Sequence, residues 1–201
     1  MIIIKPSFFF DLDGTITAQE LLPLIAEAAG LIDQIQTLTD LTISGKIPFV
    51  ESFQHRVNIL KSVPVSTVRE VVEGARLHPH IVSFIKDNSE RCFVVTGNLD
   101  VWISGLCERL GCRYFTSKAR IDSNNEVAGV EYVLEKFHIA NSFSSPFIAI
   151  GEGHNDAEMI RNAQVGIAFG GVHMPASSVL ECASHCVFEE ESLCRLLKRL
   201  L

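Results

Sequence analysis

The chain has 201 residues and a formal net charge of −7, with 17 basic against 24 acidic side chains. This balance argues against a nucleic acid or an anionic membrane as a partner, because both are recognised through a basic surface. Hydrophobic residues make up 47% of the chain, enough for one core and a small second lobe. No apolar run reaches the length of a membrane span.

The first predicted element is a strand over residues 2–10. Its apolar residues do not alternate with polar ones, which is typical of a strand buried on both faces of a parallel sheet. The run is short, lacks a basic leader and is followed at once by acids, so it is interpreted as a strand and not as a signal peptide.

The segment from about residue 19 to 76 carries only helical patterns. Four apolar stripes of helical spacing, separated by glycine or proline, predict four consecutive helices. The fourth helix follows Pro64, where Thr67 and Glu70 have the spacing of a capping box.

Strands and helices alternate in the remainder of the chain. Strands are predicted on both sides of the Asn124-Asn125 turn, at a short segment before the final helix, and at 91–97, 146–151 and 165–169. Alternation of strands with helices is typical of a parallel α/β sheet.

These elements predict an α/β fold with a split core. We expect a Rossmann-like parallel sheet domain formed by residues 1–16 and 77–201. A small four-helix cap, residues 17–76, is inserted after the first strand. The fold is expected to act as a monomer or a homodimer.

Polar residues follow three of the predicted strands. Asp11 and Asp13 follow the first strand, Thr96 ends the strand at 91–97, and Glu152 and Asp156 follow the strand at 146–151. Ligands of open α/β sheets bind outside the carboxyl ends of the strands. Clustered carboxylates need a cation to offset their repulsion, and ligands that are all oxygens favour Mg²⁺. Carboxylates beside a metal and a phosphate suggest phosphoryl transfer with an aspartate nucleophile.

Three segments resemble the motifs of the haloacid dehalogenase (HAD)-type phosphatases: DLDGT (11–15), VVTG (94–97) and GEGHNDAEM (151–159). The resemblance runs the length of the chain and is strongest to the phosphoserine phosphatase branch. The cap of that branch also has a Glu soon after the first motif and a GK-aromatic-Arg stretch, here residues 45–57. The resemblance implies a HAD fold and Mg²⁺-dependent hydrolysis of a small phosphomonoester, most simply phosphoserine, through a phospho-aspartate.

The resemblance also implies catalytic roles. Asp11 is the nucleophile, Asp13 is first the general acid and then the base, and Thr96 holds a phosphoryl oxygen. Asp11, Asp13 and the acids Glu152 and Asp156 are the implied Mg²⁺ ligands. Glu152 stands where the family normally has Asp, and its extra methylene moves the carboxylate within a coordination shell that tolerates little change.

The phosphate-binding lysine of the family has two candidates. The simplest alignment puts Val130 at its position, Lys136 is the nearest lysine, and Lys118 is the alternative. Lys136 could equally be a solvated lysine on a helix.

The cap residues suggest the substrate. Arg56 falls on the apolar face of the third helix, where a charge either reaches the rim or awaits an anion. The resemblance implies that Arg56 binds a substrate carboxylate and Glu20 a substrate ammonium, with Phe49, Gly97 and Asn155 as further substrate contacts. The alternatives are a helix-dipole role for Glu20 and a core position for Phe49.

The six cysteines form no CxxC pair. We interpret them as small buried hydrophobes in a reducing cytoplasm, although Cys182 and Cys186 have a spacing that could hold a metal.

Other functions stay open: a phosphatase or phosphotransferase for another small metabolite, a non-catalytic phosphate binder, or a signalling receiver domain. A receiver domain has no helical insertion after its first strand.

Overall fold

The structure is a computed structural model that describes residues 5–201. The first strand, β1, extends over Ser7–Phe10, and the predicted part at residues 2–4 lies outside the described residues. The other strands are β2 Cys92–Leu99, β3 Arg113–Ile121, β4 Val127–Tyr132, β5 Phe147–Gly151, β6 Val165–Phe169 and β7 His185–Val187.

Ten α-helices are assigned within the described residues. They are α1 Leu21–Ala28, α2 Ile32–Ile43, α3 Phe49–Leu60, α4 Val65–Glu73, α5 Pro79–Asp87, α6 Asp100–Leu110, α7 Lys136–Ser142, α8 Ala157–Arg161, α9 Ser177–Leu180 and α10 Glu190–Arg199. A single turn of 3₁₀ helix, His154–Asp156, precedes α8. Between residues 5 and 201, no helix is both long and apolar enough to cross a membrane.

The strands form one sheet in the order β4-β3-β2-β1-β5-β6-β7. Every neighbouring pair is parallel except β3 and β4, which form an antiparallel hairpin at one edge. The predicted α/β fold with a largely parallel sheet is therefore confirmed. β1 and β5 are adjacent, so the acids that follow them come together at one edge.

The phenylalanines of β1 explain why this strand can stand at the centre of the sheet. Phe8 and Phe10 belong to the apolar cluster on one face, and Phe9 belongs to the cluster on the other. All three are fully buried. Because successive side chains of a strand point to opposite faces, a continuous apolar run suits a strand covered on both sides.

The capping box predicted at Thr67 and Glu70 is wrong. Helix α4 begins at Val65, directly after Pro64, so Thr67 lies inside the helix. The backbone N–H of Val65 donates instead to the Glu126 carboxylate, 2.8 Å away, at the tip of the β3–β4 hairpin. A carboxylate at a helix N-terminus satisfies a free N–H and the helix dipole, and it joins this helix to the sheet.

Helix α5 was not predicted from the sequence. It is short, and its apolar stripe consists mainly of Ile81, Phe84 and Ile85, which are buried. Pro79 is at its first position, where a missing N–H costs nothing. The Phe84 ring meets the Phe8 ring edge-on at 5.2 Å, so α5 covers one face of β1.

Candidate active site

The sequence-predicted acids meet at the carboxyl ends of β1 and β5. Asp11 continues the strand, since its N–H donates to the carbonyl of Ile150 at 2.9 Å. The chain then turns at Gly14, whose φ of 73° is in the left-handed region that favours glycine. A Cβ at Gly14 would collide with the Glu152 carboxylate, so the turn also makes room for that acid.

Lys136, the first residue of α7, is the lysine that the fold brings to this site. Its Nζ lies 2.5 Å from Oδ1 of Asp11 and 2.5 Å from Oδ1 of Asp156, and it is buried. Burial opposes its charge, but the two carboxylates outweigh burial and raise its pKa. Lys118, by contrast, is largely exposed and pairs with Asp100 at 3.2 Å.

Asp156 has both carboxylate oxygens engaged. Oδ1 accepts from Lys136, and Oδ2 accepts from the backbone N–H groups of Glu152 and Gly153 at 3.1 and 2.9 Å. Asp156 thus orients the lysine and the turn that carries Glu152. This arrangement leaves it less available than Asp11 or Glu152 to coordinate a metal.

Asp13 is held between the sheet and the first cap helix. Its Oδ1 accepts from the N–H of Leu21 at 3.0 Å, and its Oδ2 lies 3.5 Å from Oγ1 of Thr96 and 3.5 Å from Nδ2 of Asn98. Burial, and next the charge of Glu20, raise the pKa of Asp13 to about 6. A carboxyl group with this pKa can both give and take a proton near neutral pH.

Asn98 was missed by the sequence analysis. It is buried, and its N–H donates to Oγ1 of Thr96 at 3.1 Å. Asn98 thus connects the threonine, through its backbone, with Asp13, through its side chain. The only signal in the sequence was its position directly after the VVTG motif.

The acids also fit a divalent cation. Burial, followed by the charge of Asp156, raises the pKa of Asp11, and burial, followed by the charge of Glu20, raises the pKa of Glu152. Glu152 is contacted by the hydroxyl of Thr15 at 3.4 Å. Buried carboxylates with raised pKa values are stabilised by a cation, and oxygen ligands suit Mg²⁺. In the described chain, no three His, Cys, Asp or Glu side chains are already gathered around one point as metal ligands.

A cavity of about 60 Å³ lies between these acids and helices α1, α2 and α3. Its wall is formed by both parts of the molecule: Asp11, Asp13, Glu20, Leu22, Thr42, Ile43, Phe49, Phe53, Arg56, Thr96, Gly97, Asn98, Glu152, Gly153 and Asn155. The Phe49 ring rests on Gly97 so closely that a Cβ there would collide with it. Helix α3 therefore contacts this edge of the sheet through Phe49.

Arg56 enters this cavity from α3. It is only 5% exposed, and its nearest acceptors are Oγ1 of Thr39 and the carbonyl of Ser52, both at 3.4 Å. It forms no ion pair with any acid of residues 5–201. Burial lowers the pKa of Arg56 to about 10, although the negative charges of Glu20 and Asp13 act in the opposite direction. A buried cation without a carboxylate partner is equipped to bind an anion.

Glu20 lines the same cavity just before α1. Its Oε1 is buried and lies 3.4 Å from Nε2 of His173, a residue of the loop after β6. The sequence analysis gave His173 no role, and the available signal was the glycine-rich stretch 170–175, which follows β6 near the same edge of the sheet.

Comparison with known proteins places this geometry in a family. A model of the haloacid dehalogenase-like hydrolases matches residues 8–161. The chain belongs to the haloacid dehalogenase-like hydrolase family. The predicted resemblance to HAD proteins is thereby confirmed, and the HAD motifs are those that deliver Asp11, Thr96 and Glu152 to one edge of the sheet.

Several relatives of this HAD chain are phosphoserine phosphatases. That of Methanocaldococcus jannaschii is 26% identical over 96% of this chain and 97% of its own length. That of Archaeoglobus fulgidus is 29% identical over 82% of this chain, but the match spans only 52% of that protein. A substrate-bound phosphoserine phosphatase structure superposes with a TM-score of 0.82 at 25% identity, covering 97% and 98% of the two chains.

The position of Lys136 predicts a specific effect on stability. Lys136→Met should lower the free energy of unfolding by about 3–5 kcal/mol, because two buried carboxylates lose their shared cation. Lys118→Met should cost less than about 1 kcal/mol, because an exposed pair contributes little. Denaturant unfolding of both variants measures the difference, and equal losses would contradict the placement of Lys136.

The same experiment has a predicted pH dependence. Asp11 has a folded pKa above its ordinary value of 3.8, so the folded state retains a proton that the unfolded state releases. The free energy of unfolding then falls as the pH rises from 3.8 towards the raised pKa of Asp11 in the folded protein. Because the charge of Lys136 lowers the pKa of Asp11, removing it extends this loss to higher pH, and the deficit of the Lys136→Met variant should therefore shrink as the pH is lowered.

Proposed function

We propose that the protein is a Mg²⁺-dependent phosphomonoesterase whose substrate is a small amino-acid phosphate, most simply phosphoserine. One observation carries the proposal: the cavity has Asp11 and Asp13 at its base and the buried, unpaired Arg56 in its wall. A phosphate would lie at the acids and a carboxylate at the arginine. The names of the relatives support the same substrate class.

In the proposed reaction Asp11 supplies the nucleophilic oxygen. It attacks phosphorus, the bond from phosphorus to the ester oxygen breaks, and Asp13 gives its proton to the leaving alcohol. Asp13, now ionised, takes a proton from water, which attacks the phospho-aspartate, releases phosphate and restores Asp11. The pKa of about 6 for Asp13 suits both proton transfers.

The remaining groups orient the phosphate. Lys136, 2.5 Å from Asp11, would offset the negative charge of the phosphoryl oxygens, and Thr96 would donate a hydrogen bond to one of them. Asp11, the backbone carbonyl of Asp13 and Glu152 would hold Mg²⁺. The ion would stabilise charge on the transferred group.

Substrate selection would come from the cap. We divide the chain into a core of residues 1–16 and 77–201 and a cap of residues 17–76. Arg56 would bind the substrate carboxylate and Glu20 its ammonium, while Phe49 excludes water above Gly97. Asn155 lines the cavity on the core side and would contact the phosphate. Six free cysteines support a cytoplasmic location.

A panel of phosphomonoesters tests the proposed function. Phosphoserine, phosphothreonine, sugar phosphates and an aryl phosphate are compared for phosphate release, each with Mg²⁺ and with chelator. We expect phosphoserine to be the best substrate and chelator to abolish release. Turnover of other esters but not of phosphoserine would support the phosphomonoesterase reaction and exclude phosphoserine as the substrate. No turnover of any ester would exclude catalysis on these substrates.

Replacing the nucleophile should separate catalysis from folding. Asp11→Asn should lower the rate of phosphate release by at least about 10³-fold, because an amide cannot form the phosphoryl intermediate. The amide can still accept a hydrogen bond from Lys136, so the thermal unfolding midpoint should not fall. Retained turnover in the folded variant would exclude a covalent mechanism through Asp11.

Arg56→Ala should discriminate between substrates. For phosphoserine we expect kcat/KM to fall by about 10–100-fold, the cost of one charged hydrogen-bonding partner. For an aryl phosphate without a carboxylate the change should be small. Arg69→Ala, which removes a cap arginine outside the cavity wall, is the control. An equal loss on both substrates would contradict carboxylate binding by Arg56.

A further inference from the structure

The loop between β6 and α9 fixes a histidine beside the cap. The N–H of Gly170 donates to Val187 at 2.8 Å, and the N–H of Ala176 donates to the carbonyl of Glu152 at 2.8 Å, so both ends of the loop are tied. Met174 at its apex is 70% exposed. His173, next to it, turns inward instead, and its Nε2 is buried.

The contact that His173 makes is with the residue proposed to bind the substrate ammonium. Its Nε2 lies 3.4 Å from Oε1 of Glu20. Neither atom has a hydrogen-bond partner in the described structure, and both are buried. Glu20 faces the cavity, while His173 lies in the wall of a neighbouring crevice of about 320 Å³. His173 does not line the cavity itself, so it contacts the Glu20 carboxylate from outside the cavity wall.

We propose that His173 is a specificity-determining residue that controls how strongly Glu20 attracts a substrate ammonium. The inference rests on the proposed function of the cavity. With His173 neutral, Glu20 presents a full negative charge to the ammonium. With His173 protonated, the pair has no net charge, and the advantage of an amino-acid phosphate over an uncharged analogue is reduced.

The surroundings of His173 favour its charged form. The close approach of the Glu20 carboxylate, followed by the charges of Glu20 and of Asp40 on α2, raises the pKa of His173 above the ordinary value of 6.5 against the effect of burial. At the base of the loop, His78 packs against Gly171 with Glu190 behind it. Burial lowers the pKa of His78, so it adds no positive charge near neutral pH.

The test compares two substrates that differ only in the group expected at Glu20. Phosphoserine carries an ammonium there, and 3-phosphoglycerate carries a hydroxyl on the same carbon skeleton. The ratio of their kcat/KM values cancels the titration of the phosphate and of the catalytic acids, which the two substrates share. This ratio is measured from about pH 6 to about pH 8.5, a range that starts near the ordinary pKa of histidine and extends above it.

For the unmodified protein we expect the ratio to rise roughly tenfold across this range, the effect of one charge near the surface. In His173→Gln and His173→Asn, which keep an N–H donor but cannot titrate, the ratio should be independent of pH. His80→Gln is the matched control. His80 pairs with Glu191 at 3.3 Å on the surface, and its loss should leave the profile unchanged.

Each outcome is decisive. A flat profile in the unmodified protein, or an unchanged rise in both folded His173 variants, would overturn the role of His173 while leaving the phosphatase proposal intact. Absence of turnover of both substrates would overturn the proposed function and this inference with it. Thermal unfolding midpoints of the variants establish that the proteins compared are folded.

Discussion

The active site depends on one buried cation between two buried acids. Lys136 joins Asp11, which continues β1, to Asp156, which follows β5, with both contacts at 2.5 Å. Burying any of these charges alone would be costly, and together they offset much of that cost. Asp13 and Glu152 bring two further acids to the same place, and Lys136 alone cannot offset four carboxylates. A cation such as the proposed Mg²⁺ would offset the remaining charge.

The apolar strands make this arrangement possible. Phe8, Phe9 and Phe10 are fully buried on the two faces of the sheet, and their packing supplies stability that an acidic cluster cannot. Because β1 and β5 are adjacent and parallel, their carboxyl ends meet, and the acids have little freedom to separate. The change from Phe10 to Asp11 is therefore the boundary between the buried strand and the candidate active site.

Sequence reasoning succeeded where the relevant signal was local. The apolar run before Asp11, the helical stripes of the cap and the motif around Glu152 each lie within a few neighbouring residues. It failed where the decisive contact joins distant segments. The N-terminus of α4 is capped by the side chain of Glu126, 61 residues away. The local pattern at Thr67 and Glu70 therefore predicted the wrong capping residue. The choice between Lys136 and Lys118 likewise needed the path of the β3–β4 hairpin.

The cavity separates the groups of the proposed reaction from those that would select the substrate. Asp11 directly follows β1, Thr96 lies within β2 and Lys136 begins α7, so each is held by a packed element. Arg56 and Glu20 come from the helical segment above. Because the two sets of groups belong to different segments of the chain, a substitution in the helices can change which substrate is selected while the acids and their lysine remain in place.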